Sequence, residues 1–434
     1  MRILSNKKLL PLLLTYFIDS LGVGIVLPFL VLVVNRLGGN AVVYGVVGSI
    51  YPATQLIGSA VLGSWSDRFG RKAILFVSEI GTMLGWVVFL IALLLPRTEI
   101  ATISSPLLGT FMLTVPLVFV IMSRAIDGLT GGNYVVAEAY IADVTSETER
   151  TASYGLMTVM GNLGFTVGPA LAGLLGGTAL AEKLPIVVAI VLSAATALII
   201  AVVLPESHKK TVVSEEGSGS GHKVGRRVIL ENKGIVFVLM LYFAMFIGFN
   251  IYYTAFPIHA IRTLGWSVGR LGIYFAALSF TMMFVEGPVL SRVSKRYSAC
   301  RLIATGSLLL GISFVLLATS RLGPTFAALL FFAFGNGVMW PSMLSLLSRL
   351  AGDEIQGLVQ GVAGSLGSAA SIIGLLVGGI LYDQIGTVSF LISATIFGIV
   401  VVASVHLAKL EAGAQTTDAA ADTPSPSQPS SSRP

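Results

Sequence analysis

Cysteine is almost missing. The 434 residues include one, Cys300, which excludes a disulfide within the chain and any cysteine-based metal framework. Histidine is nearly as scarce, and the four present, His208, His222, His259 and His406, are too scattered for a ligand spacing. Charge is the third shortage: 11% of residues carry it, where a soluble domain has about a quarter. That leaves too little polar surface for a soluble globular enzyme, and the apolar content excludes a long disordered chain. The net charge of +6 is too thinly spread among apolar runs to track a phosphate backbone, so nucleic acid is not an expected partner.

What the chain has in quantity is hydrophobic residues, 55% of the total, with a mean hydropathy of +0.88. They fall into twelve stretches, each near the roughly 20 residues a bilayer-spanning helix needs: 9–34, 42–63, 73–95, 111–141, 153–180, 184–204, 235–260, 271–290, 302–319, 325–347, 358–381 and 388–407. The first is longer than a signal-peptide core and has no convincing cleavage site, so it is expected to be retained. With the amino terminus placed inside, twenty Lys and Arg fall on one side and six on the other, which predicts that both termini are cytoplasmic.

Residues 205–234 interrupt the apolar pattern with charges and a Gly/Ser run and read as a cytoplasmic linker. The expected organisation is a six-helix bundle over 1–204, that linker, a second six-helix bundle over 235–408, and a disordered cytoplasmic tail over 409–434. Internal repeats support it. The run from Gly63 to Lys72 is echoed from Gly287 to Arg296, and Gly155, Gly168 and Gly173 are echoed by Gly361, Gly374 and Gly379. Parallel six-helix repeats with a site between them are an architecture of secondary transporters.

Gly63, Asp67, Arg68, Gly70, Arg71 and Lys72 resemble the G-x-x-x-D-R-x-G-R-K loop between helices two and three of the major facilitator superfamily. The resemblance implies an all-α membrane fold of two pseudo-symmetric six-helix bundles, with this loop gating the conformational cycle. In the second half Ser291 and Ser294 replace Asp67 and Gly70, so a second latch should be weaker. Gly164, Gly168, Pro169 and Gly173 are similar to the G-x-x-x-G-P-x-x-G-G motif of the superfamily's drug/proton antiporters, with Ala172 in place of one glycine. The segments Ser123–Gly132, Ala139–Thr145, Leu204–Glu206 and Asp353–Gly361 resemble bacterial tetracycline/proton antiporters. Two positions depart from that branch. Gly85 stands where helix three usually has an acid, with a carboxylate at Glu79 instead, and the branch's basic residue before the tryptophan has no equivalent in Thr263-Leu264-Gly265-Trp266.

An ionisable side chain in the bilayer core costs about 2.5 to 3.5 kcal/mol on insertion scales, so each calls for a role. Asp19 lies about ten residues into the first helix, near the midplane. The resemblance makes it the proton-binding carboxylate; an Asp held structurally by neighbouring helices is the competing reading. Arg124, Asp127 and Glu138 fall on one stripe of a continuous fourth helix, and Arg124 and Asp127 can pair. The resemblance gives Arg124 a part in proton coupling, whereas Asp127 is either a second coupling group or only a counter-ion. Glu79, Glu138 and Glu286 lie toward the cytoplasmic helix ends, as gate contacts or as solvated interfacial groups. Helices seven and ten face the cavity in this superfamily, which makes Asn250, Tyr253, Asn336 and Trp340 candidate substrate contacts, each with simple packing as its alternative.

The expectation is a monomeric proton-coupled antiporter of the cell membrane, exporting a hydrophobic or amphipathic, tetracycline-like small molecule, with protons rather than a cofactor supplying the energy. A proton-coupled symporter or a facilitator for a metabolite is the alternative, and a non-transporting membrane receptor the alternative of another class. The sequence shows no nucleophile–base pair or metal cluster of an enzyme.

Overall fold

The structure, a computed structural model, describes residues 9–106, 108–176, 180, 183–207 and 232–421. Most of the expected linker and residues 422–434 of the expected tail lie outside the described residues.

Long apolar runs satisfy their backbone internally by coiling, since a bilayer offers no water to the peptide groups. The helices are α1 (Leu9–Arg36), α2 (Ala41–Phe69), α3 (Arg71–Leu94), α4 (Val115–Thr130), α5 (Asn133–Val144), α6 (Glu147–Gly176), α7 (Lys183–Val202), α8 (Lys233–Arg262), α9 (Val268–Phe284), α10 (Leu290–Val293), α11 (Ala299–Ala318), α12 (Leu322–Ile385) and α13 (Val388–Ala421). Together they supply twelve segments long and apolar enough to cross a membrane. Helix α12 holds two of them, Leu322–Gly352 and Leu358–Ile385, bent where Gly352 leaves helical geometry at φ +63°. A π-helical turn, Val285–Val289, joins α9 to α10, and Pro288 within it lacks the amide that an α-helix would use.

Three boundaries differ from the hydropathy reading. Phe111 to Leu113 belong not to the fourth span but to an antiparallel hairpin, β1 (Glu99–Ser105) with β2 (Gly109–Thr114). The β-branched Thr110 and aromatic Phe111 suit a strand, and the hairpin clips onto the α1–α2 turn. Met112 N–H donates to Gly38 O (2.9 Å), Thr114 Oγ1 to Leu37 O (2.7 Å) and Asn40 Nδ2 to Leu108 O (2.6 Å). The fourth span is broken at Gly131–Gly132 into α4 and α5. At the carboxyl end, α13 continues the expected tail as helix through Ala421, an alanine-rich extension of good helix formers.

Helices α1–α7 pack among themselves, as do α8–α13, and the two groups meet chiefly where α2 touches α12 and α6 touches α9. Small residues make these contacts, as expected where lipid leaves helices little hydrophobic reason to associate. A Cβ on Gly173 of α6 would stand 2.6 Å from the Gly272 carbonyl carbon of α9, and one on Gly379 of α12 would stand 2.5 Å from Ala41 O of α2. The two glycines are repeat equivalents, and each joins one group to the other. All four residues lie toward the hairpin face. There Tyr44 Oη also donates to Tyr253 O (3.5 Å) and Arg262 Nη2 to Asn35 Oδ1 (3.2 Å), while Arg262 pairs with Asp383 at 3.5 Å. The hairpin face is therefore the closed one.

Candidate functional site

The Gly63–Lys72 loop is built around Arg71, which is 9% exposed. Gly70 takes φ +100°, a conformation that side chains resist, and so turns the chain from α2 into α3. Arg71 Nη1 then meets Asp67 Oδ1 (2.5 Å) and Ser66 Oγ (2.6 Å), and Nε meets Asp143 Oδ2 (3.2 Å). Glu206 closes the arrangement from beyond α7. Its carboxylate accepts from the amides of Arg71 (2.9 Å) and Lys72 (3.2 Å), capping the positive end of α3. Arg68 stays outside, over the Phe69 ring at 5.3 Å. Asp143 and Glu206 received no role from the sequence, although both lie in segments whose resemblance was noted. In the second half Arg292 Nη1 donates back to Pro288 O (2.7 Å) and Ser291 Oγ to the same carbonyl (3.1 Å), and among the described residues no acid pairs with Arg292.

The antiporter-like motif is a packing seam. Gly164 of α6 lies against Phe17 and Ser20 of α1, Gly168 with Pro169 against Gly24, and Gly173 crosses to α9. This seam holds α1, and with it Asp19, against α6.

Asp19 is half-buried within α1, and its Oδ2 accepts a hydrogen bond from Asn133 Nδ2 (2.9 Å). Asn133 is the first residue of α5, so the helix break at Gly131–Gly132 brings a fresh helix start to the acid. Gln55 of α2 supports the break, donating to Gly131 O at 2.8 Å. Arg124 and Asp127 pair as expected, Nη1 to Oδ2 at 3.1 Å, with both side chains under a tenth exposed. The guanidinium also lies 4.2 Å from the Trp86 ring centre and 5.4 Å from that of Phe89, where a cation gains from the aromatic faces.

Glu138 does not share their stripe. The break resets the helical phase, and Glu138 instead meets the Tyr134 hydroxyl, while its carbonyl accepts from Tyr154 Oη (3.4 Å). Among the described residues Glu138 makes no ion pair with Arg71, whose guanidinium is held by Asp67 and Asp143.

Trp340 sits in an aromatic cluster with Phe246 (4.9 Å between ring centres), Tyr242 (5.1 Å) and Phe249 (5.9 Å). Asn250 Nδ2 is committed to Phe246 O (2.8 Å) and Ser371 Oγ (3.2 Å), and Tyr253 offers its carbonyl to the seam. Asn336 Nδ2 approaches Met282 Sδ at 3.9 Å. Of the four expected substrate contacts, Asn250 alone has its side chain committed to strong hydrogen bonds among the described residues.

The sequence profile of the Major Facilitator Superfamily matches residues 12–290 and 238–432. The tetracycline resistance protein, class E, of Escherichia coli is 28% identical over 384 residues, covering 87% of this chain and 88% of that protein. Multidrug resistance protein 1 of Bacillus subtilis (strain 168) is 26% identical, covering 87% and 90%. Among solved structures, a D-xylose-proton symporter superposes with a TM-score of 0.73 at 16% identity, over 92% of this chain and 96% of that one, a likeness of fold. With the matched profile spanning nearly the whole chain and twelve membrane-capable helices beneath it, the chain belongs to the Major Facilitator Superfamily and is a multi-pass membrane transporter.

Proposed function

We propose that the protein exports a hydrophobic or amphipathic small molecule of tetracycline-like character in exchange for protons, by alternating access between its two six-helix halves. It acts as a monomer in the cell membrane, with both termini in the cytoplasm. The observation that carries this reading is the Asp19 carboxylate, deep in a membrane span and bonded to Asn133 at the start of a broken helix. A carboxyl there can exchange its proton when the halves rock, because the α6 seam that holds it also reaches α9 in the other half. The similarity to tetracycline and multidrug resistance proteins supports export. The closed hairpin face supports a conformation that receives substrate from the side of the termini.

Co-transport with protons is the second reading, favoured by the likeness of fold to a D-xylose-proton symporter. Liposomes with an imposed pH gradient separate the two. Tetracycline moving against proton flow, with the pH dependence lost in Asp19→Asn, is the expected result. Counterflow with unchanged pH dependence in Asp19→Asn removes the proton-site assignment, and xylose accumulating along the proton gradient supports symport.

A further inference from the structure

We propose that Glu79 is a second proton-carrying site, coupled to Asp19 through Asn133 and placed on the path between Asp19 and the face that carries the termini. This deepens the antiport reading and rests on it.

Glu79 lies on α3 and is 1% exposed. Its Oε1 is buried and meets no hydrogen-bond partner among the described residues, while the Ser193 hydroxyl of α7 serves the carboxyl from the other side. A buried carboxyl with one idle oxygen is an expensive arrangement for purely structural purposes, because an unmet polar atom costs about 1 to 3 kcal/mol. Glu79 borders a small cavity with room for about one water molecule, lined also by Leu12, Thr15, Tyr16, Leu75 and Asn133, with Ala137 and Ile200. Asn133 therefore serves two places at once. It lines the cavity of Glu79, and its Nδ2 donates to Asp19 Oδ2 at 2.9 Å.

The cavity also has a direction. Leu12, Leu75 and Ile200 each lie within four residues of the helix ends Leu9, Arg71 and Val202, all on the face of the termini. The acids that act on Glu79 are Asp19 from α1 and Asp127 from α4, and Asp127 is already paired with Arg124. Among the described residues neither Asp19 nor Glu79 forms an ion pair, and Asn133, bonded to Asp19, lines the same water-sized space as Glu79. The step is a proton exchange: Asp19 gives up its proton and becomes a carboxylate as Glu79 becomes a neutral acid, with total charge conserved. Glu79 then releases the proton toward the face of the termini.

Infrared titration of the protonated-carboxyl bands of the full chain in lipid nanodiscs tests this without any substrate, so failure of tetracycline transport leaves this test standing. The wild type is expected to show two steps. Glu79→Gln should remove one step, Glu79→Asp should retain it, and Asp19→Asn should move the surviving Glu79 step by about one pH unit, the coupling at which two sites titrate as a pair. Asn133→Leu should keep both steps and abolish their mutual influence. That variant leaves the carboxyls in place should Glu79→Gln fail to fold. A Glu79→Gln curve superimposable on the wild type overturns the proposal, as does an unchanged mutual influence in Asn133→Leu.

Discussion

The Arg124–Asp127 pair shows what a single spacing can and cannot reveal. Three residues apart on a helix, the two were bound to be neighbours, and they meet at 3.1 Å. Their roles are separable by experiment. Asp127→Asn leaves a buried guanidinium without its partner and should cost about 3 to 5 kcal/mol, read as a lowered melting temperature. Replacing both, as Arg124→Met with Asp127→Leu, should recover most of that loss, because an apolar pair of similar volume needs no desolvation. The same double variant separates counter-ion from coupling: if Asp127 only neutralises Arg124 and neither carries a proton, the pH dependence of transport survives. The expected result is its loss, with Arg124 in the coupling path. Asp19 was legible as an acid at mid-span, but its partner Asn133 is 114 positions away, and no local periodicity joins such residues. Glu138 was misplaced for a related reason, since the shared stripe assumed an unbroken helix through Gly131 and Gly132.

At the scale of elements, hydropathy located the spans well because a bilayer asks mainly for length and apolarity. It could not see the β-hairpin, whose Phe111–Leu113 is as apolar as the helix that follows, nor that Glu206 caps α3 from 135 positions away. Glu206→Gln keeps the shape of that cap and removes its charge from the amino end of α3. It should cost about 1 kcal/mol in the stability of the Arg71 loop, seen as faster amide exchange at Arg71 and Lys72. The repeated glycines carry a sharper prediction. Gly173 and Gly272 touch where the halves close the hairpin face, so Gly173→Leu should hold that face apart. In a Cys300→Ser background, spin labels at Asn35 and Asp383, now near one another through Arg262, should report a longer distance in the leucine variant. An unchanged distance would mean that the α6–α9 contact does not control closure.

For the whole molecule, orientation decides what the closed face means. The sequence assigns twenty Lys and Arg to the side of the termini against six to the hairpin side, a bias that predicts basic loops facing inward. If so, the conformation closed at the hairpin is the one that can take substrate from the cytoplasm, as export requires. With the opposite orientation the same geometry would collect substrate from outside, and the export reading would fail whatever Asp19 does. Labelling in intact cells distinguishes these cases, since the native Cys300 is 2% exposed and gives little background. Ser104→Cys, exposed on the hairpin, should react with a membrane-impermeant maleimide added to intact cells. Ser294→Cys, exposed between α10 and α11, should react only after permeabilisation. The reverse pattern would place the basic loops outside and turn the proposed exporter into an importer.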